Sequence, residues 1–146
     1  MKRRIGTLVA AGALLFAAPS FAQTVGTCPR GGGANQPQPV RVLFALNSSQ
    51  VPPAEKPMIA QAVKTAKERQ VSAICLIGHT DKLGDKAYNQ KLARARAQAV
   101  AAEMIRDGYP AKDITIVADP EAFGNMSFGS DNASQIDRKV TIFYAR

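Results

Sequence analysis

Two side chains of opposite charge, Asp81 and Arg96, bracket the most informative stretch of this chain. Asp81 stands in the polar loop Gly78-His79-Thr80-Asp81-Lys82-Leu83-Gly84-Asp85, which follows an apolar run. Arg96 stands in an Ala-rich segment beginning at Lys86, with the spacing of a helix. Successive helical residues turn by about 100°, which places Leu92, Arg96 and Val100 within an arc of about 80°. Ala93, Ala97 and Met104 lie on its flank, and Asn89 projects in nearly the same direction as Arg96. Arg94 points about 160° away, among Gln90, Lys91 and Gln98, and reads as solvated. Arg96 is thus a guanidinium on an apolar face, and needs a carboxylate or phosphate to offset its desolvation. One reading is an internal ion pair with Asp81 or Asp85. The other is a pocket for a zwitterion, ammonium to Asp81 and carboxylate to Arg96. N–H groups near the helix start would add attraction for an anion.

Other chemistry lacks its partners. His79 is the only histidine, so catalytic triads and histidine metal sites have no second member. It is expected to hydrogen-bond the strand end. Asp81 and Asp85 share a polar loop with Lys82 and Lys86, a poor setting for a pair of acid–base carboxylates. Gly78, Gly84 and Gly31 to Gly33 match no phosphate-loop spacing, and no serine has the setting of a nucleophile elbow. The residues point to binding, with no enzymatic activity, cofactor or metal.

The elements that position these residues follow from periodicity. Val40 to Leu46 reads as a first strand. Asn47-Ser48-Ser49 turns the chain, and Pro52-Pro53 favours a helix start, with Pro57 able to delay it. Ile59, Ala62, Val63 and Ala66 recur at helical spacing. Val71 to Ile77 is apolar enough for a strand buried on both faces. A second helix is expected from about Lys86 to Asp107, stopped by Gly108 and Pro110. Asp113 to Val117 and Arg138 to Tyr144 are the remaining strands, separated by a long Gly-, Ser- and Asn-rich segment, Asp119 to Asp137. The order βαβαβ-β implies an α/β (α+β) two-layer sandwich, two helices packed on a mixed four-stranded sheet.

The N-terminus sets the compartment. Lys2, Arg3 and Arg4 precede an apolar run from Ile5 to Ala18 and the small residues Ser20 and Ala22, the pattern of a signal peptide spanning residues 1–22. The run is too short for a membrane span, and no later stretch is apolar enough. Cleavage leaves 124 of 146 residues, with a Gly/Pro/Gln-rich linker at 23–39 and one domain at 40–146. The charge of +8 falls to +5 once the three leader cations are removed. A basic balance suggests nucleic acid, which export argues against. Anionic lipid headgroups and the cell wall remain, although many of the cations are ordinary solvated helix residues. Cys28 and Cys75 are the only cysteines, and an oxidising compartment raises the question of a disulfide between them. Bridging would require the leader to fold back beside the second strand. Cys28 lies too far past the apolar run, after Val25-Gly26-Thr27, to serve as a lipid anchor.

These residues also carry a resemblance. Gly78-His79-Thr80-Asp81, Gly84, Tyr88-Asn89, Leu92, Arg96-Ala97 and Val100 follow the signature of the OmpA/Pal/MotB C-terminal domain family, over roughly Val40 to Tyr144. Val42-Leu43-Phe44, Pro53, Gly108-Tyr109-Pro110-Ala111 and Asp137-Arg138-Lys139-Val140 support the match. The resemblance implies non-covalent binding of peptidoglycan through the meso-diaminopimelate of its stem peptide. Asp81 and Arg96 map to the residues that grip the diaminopimelate, Thr80 and Asn89 to supporting positions, Asn47 to a polar position bordering the pocket, and Arg138 to an arginine near it. Two departures stand out. Ala93 replaces a frequent serine, and Asp119-Pro120-Glu121-Ala122-Phe123-Gly124 stands where Gly-x-Gly-Glu is usual. The expected protein is a free-standing periplasmic domain, with association to the outer membrane or an envelope protein left open. The alternative is a structural or protein-docking module on the same fold that no longer binds peptidoglycan. A wall hydrolase would need a nucleophile or metal set.

Overall fold

The computed structural model describes Cys28 and residues 36–80, 85–118 and 138–145. The expected signal peptide, most of the linker, Asp81 and the Asp119–Asp137 segment lie outside the described residues. Within them the chain runs β1 (Val40–Leu43), a 3-10 turn (Pro53–Glu55), α1 (Lys56–Glu68), β2 (Ala73–Gly78), α2 (Lys86–Arg106), a second 3-10 turn (Ala111–Asp113), β3 (Ile114–Ala118) and β4 (Lys139–Ala145).

The strands form a mixed sheet in the order β1-β4-β2-β3. β2 pairs in parallel with β3 and antiparallel with β4, and β4 pairs antiparallel with β1. This is the two-layer sandwich that the element order implies. Alternation along each strand sends Val42, Ile74, Leu76, Val140, Ile142 and Tyr144 into the core, against Ile59, Val63, Ala66, Val100 and Met104 of the helices. β2 lies inside the sheet, and its residues from Ile74 to Gly78 are all buried, as an apolar run requires.

Both helices end the same way. The N–H of Val71 bonds the Ala66 carbonyl and that of Gln70 the Lys67 carbonyl, with Gln70 at φ +52°. Tyr109 and Gly108 repeat the pattern on Met104 and Ile105, with Gly108 at φ +87°. Gln70 and Val71 are thereby spent on closing α1, so β2 starts at Ala73, two residues later than apolarity alone suggests. β1 is also shorter than expected. It ends at Leu43 because Ala45 to Ser48 form a tight turn, the Ser48 N–H on the Ala45 carbonyl and Asn47 at φ +51°. Pro57 does delay α1, and the Pro53–Glu55 turn precedes it.

Candidate ligand site at the carboxyl ends of the parallel strands

The loops leaving β1 and β2, the start of β4 and the first half of α2 meet at one end of the sheet. α2 starts cleanly because the exposed Asp85 is its N-cap, Oδ1 accepting from the Tyr88 N–H at 2.7 Å. Asp85 is thus a helix cap, which removes it as the buried counter-ion of Arg96. The buried side of α2 carries Asn89, Ala93, Arg96, Ala97, Val100, Ala101 and Met104. Leu92 is only half-buried, so the centre of that side lies nearer Ala93 than the arc through Leu92 suggests. The cause is Gly78. A Cβ there would collide with the Ala93 carbonyl, so α2 is seated directly on the end of β2. Arg94 is half-buried, not fully solvated as the helical wheel places it.

Arg96, one turn beyond Ala93, has 0% exposure. Its Nε donates to the Ser48 carbonyl at 2.8 Å, Nη2 to the Ala45 carbonyl at 3.1 Å and Nη1 to the His79 carbonyl at 3.3 Å. The guanidinium carbon lies 5.4 Å from the centre of the Phe44 ring. The sequence points to an acidic partner for this group; the partners described are main-chain carbonyl dipoles, which offset desolvation in the same electrostatic sense. Through them α2 grips both the β1–α1 turn and the end of β2. No side-chain pattern announces a carbonyl acceptor, although the inward position of Arg96 marks it as needing one.

The other residues singled out from the sequence fall around this clamp. His79 donates its N–H to the Lys139 carbonyl at 2.8 Å, extending the β2–β4 ladder, and its Nε2 lies 3.4 Å from Thr141 Oγ1. Thr80 follows it, buried, with a hydroxyl that has no hydrogen-bond partner among the described residues. Asn89 is buried two turns before Arg96 on the same side of α2. Asn47 is exposed within the turn whose flanking carbonyls Arg96 holds. Arg138 immediately precedes β4, its carbonyl accepting from the Phe44 N–H at 2.9 Å. Thr80, Asn89, Asn47, Arg96 and Arg138 are therefore gathered at one end of the sheet, while Asp81, next in the chain after Thr80, lies outside the described residues. No described helix is long and apolar enough to cross a membrane.

Two helices on one face of a four-stranded mixed open sheet are the OmpA-like architecture. Residues 43–141 match the model of the OmpA family, and the chain belongs to that family. It is 34% identical over 76 residues to the outer-membrane lipoprotein YfiB of Pseudomonas aeruginosa, covering 52% of this chain and 45% of that protein. It is 31% identical over 96 residues to outer membrane protein A of Shimwellia blattae, covering 64% of this chain and 40% of that one. The chain thus spans less than half the length of either relative. Among solved structures, the peptidoglycan-associated lipoprotein of Burkholderia pseudomallei superposes with a TM-score of 0.61 at 24% identity, over 71% of this chain and 88% of that one.

Proposed function

We propose that this protein is a periplasmic module, exported by a signal peptide, that binds peptidoglycan non-covalently through the meso-diaminopimelate of the stem peptide. The observation that carries the proposal is the gathering of Thr80, Asn89, Asn47 and Arg138 at the end of the sheet where Arg96 is held, with Thr80 next to Asp81 in the chain. Membership of the OmpA family supports it. In this reading Asp81 receives the ammonium of the diaminopimelate side chain. Arg96, beneath the surface in a site of low dielectric, supplies the positive potential for the adjoining carboxylate. Lysine, lacking that second carboxylate, would leave the arginine unanswered. Thr80 Oγ1 and Asn89 add polar contacts at the floor, and Asn47 and Arg138 stand at the border.

The deciding experiment is co-sedimentation with purified sacculi. Diaminopimelate-type sacculi should bring down the wild type, and lysine-type sacculi should not. Asp81→Ala should eliminate binding, because losing one partner of a desolvated charge contact costs about 2–5 kcal/mol. Arg94→Ala should retain binding. If Asp81→Ala binds as well as the wild type, the site assignment is wrong.

The complete burial of Arg96, with three donors committed to main-chain carbonyls, favours a second reading. There the arginine is a fold clamp, and the domain docks an envelope protein without touching the wall. A wild type that ignores both kinds of sacculi would select that reading.

A further inference from the structure

The sheet face turned away from the helices carries a covalent bond to Cys28. Cys75 alternates with the core residues Ile74 and Leu76, so its side chain leaves the opposite face of β2. It is bonded there to Cys28, with the two Cα atoms 5.7 Å apart. The two sulfurs have unequal surroundings. Cys75 is 0% exposed, at the register of Phe143 on β4 and Thr115 on β3, with Ile77, Thr141 and Ala145 also buried on that face. Cys28 is partly exposed.

Thiol–disulfide exchange is an in-line displacement. A thiolate attacks one sulfur along the bond axis and the other sulfur leaves. Attack on the Cys75 sulfur is closed from every side, because that residue has no solvent exposure. Cys28 keeps solvent exposure, so attack there is the one route open in the folded protein. We infer that Cys28 is the entry sulfur of a thiol-exchange site, open to a low-molecular-weight thiol, and that Cys75 is the leaving group when the bond is reduced.

The step balances as follows for glutathione. Its thiolate forms a bond to Cys28 Sγ, the Cys28–Cys75 bond breaks, and Cys75 departs as a thiolate that takes a proton from water. A second glutathione thiolate then attacks the glutathione sulfur of the mixed disulfide. This releases Cys28 as a thiol and leaves oxidised glutathione, two electrons having passed to the protein. Run in reverse, oxidised glutathione closes the bond, again through Cys28.

The test is to expose the folded, oxidised protein to glutathione, quench with acid, alkylate free thiols and map the adduct. Trypsin separates the two cysteines, cutting at Arg30 on one side and at Arg69 and Lys82 on the other. The expected result is glutathione almost wholly on Cys28 with the alkyl label on Cys75, and a loss of that bias in urea. Glutathione on Cys75, or an even distribution in the folded protein, overturns the inference. So does a folded protein that forms no adduct under conditions where the urea-unfolded protein does.

Discussion

Gly78 and Ala93 touch backbone to backbone: the Ala93 carbonyl occupies the space that a side chain on residue 78 would need. This contact sets the depth of α2 on β2, and hence the height of Arg96, one turn further on. Gly78→Ala should therefore push the helix outward and destabilise the domain by about 1–3 kcal/mol, the usual effect of overpacking. Urea unfolding measures the change directly. An unaltered midpoint would mean that the helix is not seated on the strand.

Arg96 should matter to the fold as well as to the ligand. Arg96→Ala strips three main-chain carbonyls of their donor, one buried and two partly buried, a loss on the order of 3 kcal/mol. Arg96→Lys keeps the charge but lacks the planar fork, so it should recover only part of that stability. Comparing the two variants by urea unfolding separates charge from geometry. Equal stability of the lysine variant and the wild type would show that charge alone suffices.

The disulfide spans 47 residues of sequence, including β1 and α1. Closing a loop of that size constrains the unfolded chain, and its loss typically costs about 2–5 kcal/mol. A Cys28→Ser, Cys75→Ser double variant should thus unfold at lower urea. Sacculus binding, if present in the wild type, should persist, because the bond lies on the sheet face away from the helices. Loss of binding in a variant that remains folded would link the two faces.

Stability at alkaline pH should report Tyr109 and Tyr144. Burial, and then the nearby Asp113 carboxylate, raise the Tyr109 phenol above its ordinary pKa of 10.0, and burial raises Tyr144. Folding therefore favours the neutral phenols. Their contribution is complete below the pH at which an unfolded tyrosine titrates, and it is lost as pH rises through the higher folded values. Tyr109→Phe, which also deletes the bond from the hydroxyl to the Val71 carbonyl, should lower stability near neutrality. It should also flatten the decline above pH 10 (about the unperturbed tyrosine value). Parallel alkaline curves for variant and wild type would contradict the raised value.

Periodicity and punctuation carried much of this protein. The order of strands and helices, the apolar β2, the inward face of Arg96 and the stop at Gly108 all follow from residues a few positions apart, because alternation and helical spacing act within one element. What meets that face is another matter. Arg96 binds carbonyls of Ala45, Ser48 and His79, which belong to a turn and a strand end brought beside α2 only by folding. A main-chain carbonyl is common to every residue, so no sequence pattern distinguishes these three. The same limit explains Leu92, half-buried because Gly78 seats α2 on Ala93, and Asp85, a helix cap where charge alone suggests an ion-pair partner. The pairing of Cys28 with Cys75 was open for a related reason: two cysteines state a capacity, and only the folded chain brings their Cα atoms to 5.7 Å at the back of β2.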